Sequence, residues 1–157
     1  MSPADARAAL LLAECRRDWQ AVKTHLVRAQ GAEPGGGPAQ SALVALSLDH
    51  AYQAFETILL RIERSIGWPE RTGANWHAAL LADAALEIPG VRPPLLPAEV
   101  LADWDALLRF RHFLRHAYVI DLDAEKLATN RQRLERAVST TDSWFGSVLA
   151  TLTPASG

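Results

Sequence analysis

The chain has 157 residues, of which 49% are apolar and 22% charged, and its formal net charge is −2. That length fits one domain able to bury a core of its own, and the charge balance excludes a broadly basic nucleic-acid binder, so any cationic site must be local. The single cysteine, Cys15, excludes an internal disulfide, and there is no Cys/His zinc pattern. This usage fits a reducing compartment.

Ser2-Pro3 reads as a helix start, with Ser as cap and Pro in the first turn. Leu11, Cys15, Trp19, Val22 and Leu26 then recur every three to four residues, predicting an amphipathic helix that ends near Gln30-Gly31. Cys15 is expected to be a buried helix residue rather than a reactive thiol. The segment 31–40 holds four glycines and two prolines and reads as a flexible loop. No strand precedes these glycines and no P-loop lysine follows, so phosphate binding there is not expected.

Residues 41–67 read as a second long helix. Leu43, Leu48, Ala51, Tyr52, Phe55, Leu59, Ile62 and Ile66 make it apolar over much of its circumference, which predicts burial on more than one side. A partly polar stripe carries Asp49, Gln53, Glu56 and Glu63. Trp68-Pro69 stops the helix. A shorter helix is expected over 72–88, with Asn75 as a plausible cap, until Pro89-Gly90 ends it. The proline-rich stretch 91–97 cannot be helical throughout. Pro97 opens a fourth helix, expected from Ala98 to about Tyr118. Asp121 to Asp123 break the chain before a fifth helix, from about Ala124 to Leu149, with Leu127, Leu134, Val138, Phe145 and Leu149 inward. No segment alternates as a strand does. The expectation is an all-α antiparallel bundle of about five helices.

The fourth helix stands apart. Between Arg109 and Tyr118 lie three arginines and two histidines with no acid. At about 100° per residue, Leu107, Phe110, Leu114 and Ala117 share a core-facing stripe. Arg111, Arg115 and Tyr118 share the next stripe, and His112 and His116 a third, one turn apart. Taken singly, arginines on a helix are usually a solvated face, and a helix-end tyrosine is usually an amphipathic packing contact. Together, with no carboxylate in the segment, they favour an anion site. Phosphate suits it, because arginine offers a planar fork and histidine exchanges a proton near neutrality. Two histidines at i and i+4 can also ligate a metal, but no acid or cysteine lies close by in sequence.

The series Arg111-x-x-x-x-His116-x-Tyr118 resembles the R-x4-H-x-Y motif of HepT-like toxins, in the HEPN superfamily of helical ribonucleases. The helix around Tyr52 to Ile62 and the pair Trp76-His77 are also similar to one HepT-like subgroup. The resemblance covers roughly 43–127 and departs from many relatives at His112, where they carry a small polar residue. It implies one HepT-like helical domain over 1–157, with the loop at 31–40 and the core at 41–150. The long first helix and the glycine-rich loop are less familiar in this family and read as peripheral.

The activity implied is that of a metal-independent, cofactor-free endoribonuclease toxin of a toxin–antitoxin system, working as a homodimer. Arg111 and His116 would be catalytic, and His112 and Arg115 would bind RNA phosphate. From its place on the second helix Glu56 could orient Arg111 or equally make a salt bridge at the surface or core edge. One helix offers few residues for both acid and base, so two copies across a two-fold axis would supply both. DNA lacks the attacking hydroxyl and would be spared. The implied antitoxin is a minimal nucleotidyltransferase that adds AMP to Tyr118. The N-terminus lacks a signal-peptide layout and no apolar run spans a bilayer, so a cytoplasmic protein without membrane contact is expected. Two other readings stay open: a non-catalytic helical binding module or modification target that partners a nucleotidyltransferase, and a plain interaction bundle. Trp104 and Trp144 are expected in the core or at a dimer interface, and His25 and His50 have no pattern around them.

Overall fold

The computed structural model describes residues 1–117 and 121–152. Among these it has five α-helices and no named strand: α1 Pro3–Gln30, α2 Pro38–Ser65, α3 Trp76–Ala84, α4 Leu101–His116 and α5 Ala124–Leu152, with a 3-10 turn, Ala98–Val100, leading into α4. The all-α bundle expected from the periodicity is what forms. No helix among the described residues is long and apolar enough to cross a membrane.

The starts of α1 and α2 follow from local chemistry. The Ser2 hydroxyl accepts from the Asp5 amide, and the Asp5 carboxylate accepts in return from the Ser2 amide. This reciprocal box satisfies two N–H groups that the first turn leaves without partners. Pro38 opens α2 directly behind Gly37, whose φ of 109° is left-handed backbone that glycine adopts without strain. So α2 begins three residues earlier than the expected Ser41. The expected third helix over 72–88 is much shorter. Asn75 sits at its N-cap but makes no side-chain cap bond. At the other end the Arg92 guanidinium donates to the carbonyls of Asp83 and Leu86, and the Leu95 amide donates to that of Ala84. These bonds satisfy carbonyls that a longer helix would have used internally.

Four helices run up, down, up, down. Arg61 of α2 meets Glu14 and Asp18 of α1, and His50 meets His25, so α1 and α2 are antiparallel. Phe55 stacks on Trp104 at 3.8 Å and Asp49 meets Arg111, which sets α4 antiparallel to α2. Asp103 near the start of α4 reaches Arg136, while Arg109, Phe110 and Phe113 further along it border one cavity with Lys126, Leu127 and Asn130 near the start of α5, so α5 runs antiparallel to α4. Trp19 stacks on Phe145 and donates to Asp142, which closes the ring between α1 and α5. The short α3 packs on α4 outside this ring.

Helix α2 is the central element. Val44, Leu48, Ala51, Tyr52, Phe55, Ile58, Leu59 and Ile62 are buried on it, as its wide apolar circumference requires, while Leu43 is exposed. The inward residues expected on α5 (Leu127, Leu134, Val138, Phe145 and Leu149) are buried. The first helix is not peripheral: Cys15, Trp19, Val22 and Ala29 belong to the same core. Packing rather than family pattern decides this, because α1 covers the side of α2 that α4 leaves open.

Candidate active site

The last two turns of α4 present the residues singled out in the sequence. Leu107 is buried and Phe110 and Leu114 are half-buried against the core, so the opposite arc faces outward. His112, Phe113, Arg115 and His116 are exposed there, and Arg111 lies at the boundary. The helix stops at His116 because Ala117 turns to an extended conformation, φ −78° and ψ 124°. Tyr118 lies outside the described residues.

Arg111 is not free of carboxylates, as the local sequence suggested. Its Nη1 donates to Asp49 Oδ1 at 2.7 Å, with only 13% and 10% of the two side chains exposed. Arg115 reaches the other oxygen of Asp49 at 3.6 Å and stays half exposed. The acid absent from the fourth helix is therefore supplied by α2. Glu56 does not orient Arg111: its Oε2 accepts the Tyr52 hydroxyl at 3.1 Å and contacts His77 Nδ1 at 2.8 Å. Burial, followed by the Glu56 charge, pushes the Tyr52 hydroxyl well above the ordinary phenol range, so it stays protonated and donates.

His116 has a defined tautomer. Its Nδ1 lies 2.8 Å from the His112 carbonyl oxygen. A carbonyl oxygen only accepts, so Nδ1 carries the hydrogen and Nε2 is left as the acceptor in the neutral ring. The three imidazoles run in sequence. His77 stands edge-on to His112 at 5.6 Å, and His112 lies 5.7 Å from His116. Trp76 stacks against His77 at 3.6 Å.

Asp49, Glu56 and Glu63 are buried on α2 at intervals of seven residues, two helical turns each. Each takes a cationic or imidazole partner from a later segment: Arg111 and Arg115 for Asp49, His77 for Glu56, and Arg71 for Glu63. Arg71 also donates to Asp83, which ties the approach to α3 onto α2. The sequence alone places Asp49 on a polar stripe and His77 at a helix start, and gives neither a role at the site. The signal was the regular spacing of acids on an otherwise apolar helix, where each acid needs a partner.

On the adjacent side of α4, a cavity of about 570 Å³ opens toward the start of α5. Arg109, Lys126 and Arg133 line it together with Phe110 and Phe113, and Asp121 and Asp123 border it too. Among the described residues no group of three or more His, Cys, Asp and Glu side chains is gathered as a metal site.

The all-α bundle thus carries an arginine and a histidine five residues apart at the end of α4. The family model described as "HepT-like protein" matches residues 43–152, and the chain belongs to this HepT-like family. No curated protein matches the chain. No solved structure matches it either.

Proposed function

We propose that the chain is a metal-independent endoribonuclease, the toxin of a toxin–antitoxin system, with Arg111 and His116 as its catalytic pair. The observation that carries this is the Nδ1 contact of His116 to the His112 carbonyl, which leaves Nε2 as the free acceptor, at the same end of α4 that holds the anchored guanidinium of Arg111. In the reaction the RNA 2′-oxygen attacks the adjacent phosphorus and the bond to the 5′-oxygen breaks. His116 takes the proton from the 2′-hydroxyl. Arg111 stabilises the charge that builds on the non-bridging oxygens, with Arg115 and His112 widening the phosphate surface. Two copies related by a two-fold axis would bring both α4 ends around one phosphodiester.

Tyr118 would be the acceptor for AMP. Its phenol oxygen attacks the α-phosphorus of ATP bound to a minimal nucleotidyltransferase antitoxin, and pyrophosphate leaves. The added phosphate would then compete with RNA for Arg111 and Arg115. This chemistry belongs in the cytoplasm, where ATP and RNA meet.

Cleavage of RNA by the purified chain in EDTA tests the nuclease. Arg111→Ala and His116→Ala should each slow cleavage about 100-fold or more; equal rates in all three proteins point to a contaminant and end the proposal. Mass spectrometry after incubation with the antitoxin and ATP should find AMP on Tyr118 and none on Tyr118→Phe.

One observation favours a second reading, in which this face is only a docking and modification target. Asp49 already occupies the guanidinium of Arg111. Partner binding and AMP addition without RNA cleavage under any condition would select it.

A further inference from the structure

Among the described residues, His77 is the one imidazole near the α4 end that a buried carboxylate holds. Its Nδ1 lies 2.8 Å from Glu56 Oε2, and Glu56 is only 6% exposed. The same oxygen accepts the hydroxyl of Tyr52, which is fully buried. Trp76 packs on the ring at 3.6 Å, so both rotation and tilt of the imidazole are restrained. A carboxylate accepts and does not donate, so Nδ1 carries a hydrogen and Nε2 is the nitrogen free to act. Among the described residues Nε2 has no hydrogen-bond partner, and a quarter of the side chain reaches solvent.

The groups facing this ring are few. From α2 come Glu56 and, behind it, the Tyr52 hydroxyl; from α4 comes His112, edge-on at 5.6 Å. A packing role alone explains the Trp76 stack. It does not explain why a carboxylate is kept in the core for a part-exposed ring that stands next to His112, itself one turn from His116.

Charge balance separates the two Nε2 atoms. His116 donates from Nδ1 to a neutral peptide carbonyl. His77 donates to a carboxylate, which balances the charge of an imidazolium. With His116 as the acceptor in the reading above, the remaining duty is proton donation, which an imidazolium balanced by a carboxylate can perform.

We propose that His77, positioned by Glu56, is a catalytic residue of the ribonuclease site and the general acid that protonates the 5′-oxygen leaving group. The inference rests on the ribonuclease reading above and assigns the half of the proton traffic which that reading left to the second copy. As the 2′-oxygen bonds to phosphorus, its proton passes to His116 Nε2. As the bond from phosphorus to the 5′-oxygen breaks, the proton on His77 Nε2 passes to that oxygen. His116 ends protonated and His77 neutral, and exchange with water restores both. Glu56 touches no substrate and acts as a positioning residue.

The test uses the full-length chain and two versions of one RNA strand that it cuts. One version is ordinary RNA; the other carries sulfur in place of the bridging 5′-oxygen at the cut linkage. Sulfur leaves without being protonated, so loss of a general acid is invisible on that strand. His77→Ala should slow the ordinary strand about 100-fold or more and the sulfur strand by less than about threefold. Glu56→Gln should show the same asymmetry, weaker on the ordinary strand. His116→Ala should slow both.

Equal losses on the two strands for His77→Ala mean that the ring only supports the fold, and overturn the proposal. Undiminished cleavage of both strands overturns it as well. His77→Gln, which keeps bulk and a hydrogen-bonding end, gives the same comparison should the alanine variant not fold. Absence of cleavage by the unsubstituted chain would bring down the ribonuclease reading itself, an outcome distinct from an active chain indifferent to His77.

Discussion

Arg111 in α4 and Asp49 in α2 are joined by a 2.7 Å hydrogen bond between largely buried groups. The pair fixes where the guanidinium sits relative to His116, and it joins two elements whose other major contact is the stack of Phe55 on Trp104. A buried ion pair of this kind adds little net stability over an apolar pair, but breaking it by removing one partner is costly. Asp49→Ala is therefore expected to lower unfolding free energy by about 3 kcal/mol in urea titrations. It should also reduce RNA cleavage, because Arg111 loses its anchor. Unchanged stability would show that water replaces the carboxylate at no cost.

Trp104 is fully buried, stacks on Phe55 and donates to Thr141 Oγ1 at 3.3 Å. Trp104→Ala removes the contact among α2, α4 and α5 together and should cost about 4 kcal/mol. Trp104→Phe keeps much of the stack and loses the hydrogen bond, for about 1 kcal/mol. Urea unfolding of the two variants checks the order, and a larger loss for the phenylalanine variant would contradict it.

Arg71 holds both Glu63 and Asp83, and these hydrogen bonds, Glu63 first, push its guanidinium pKa above the ordinary value. Arg71→Ala should destabilise the chain by about 2–3 kcal/mol, since Glu63 is left buried without its partner. Arg71→Lys should restore little, because an ammonium is a point charge and does not fork between two carboxylates. Recovery of full stability in the lysine variant would show that charge alone matters.

Cys15 has no solvent exposure, and burial pushes its thiol up to about 11, with the charge of Asp18 adding to the effect. Near pH 8 the folded chain should therefore react with a thiol reagent about 100-fold more slowly than the urea-unfolded chain. The unfolded thiol ionises first as pH rises, near its ordinary value of about 8.5. Between there and about 11 the folded state holds the extra proton, so stability falls with rising pH over that window. Cys15→Ala should flatten this decline, and an equally steep decline in the variant would assign it to other groups.

The helices and the α4 motif were legible because period and punctuation are local. Ser2-Pro3 marks the start of α1, and the apolar spacing in α1 and α5 leaves one face for burial, whereas Pro38, read as part of the loop, opens α2. What sequence could not supply was pairing between elements. Asp49 lies 62 residues from Arg111, and nothing near Arg111 announces it. Glu56, which could have oriented Arg111 or made a plain salt bridge, meets Tyr52 and His77 instead, since a helix stripe tells which way a side chain points and not what stands opposite. His25 and His50 lacked a pattern for the same reason, yet their rings lie 5.2 Å apart across the first two helices. The third helix was overextended because Arg92 draws off the carbonyls that would have continued it.

The HepT-like match begins at residue 43, whereas Trp19, from well before it, is stacked on Phe145 near the far end of the chain. A shortened version starting at the family boundary would strip one wall from the bundle and leave an oily seam along the second and fifth helices. Such a fragment should clump rather than stay dispersed, so anyone trimming this protein to its recognisable portion would be discarding part of what makes that portion fold.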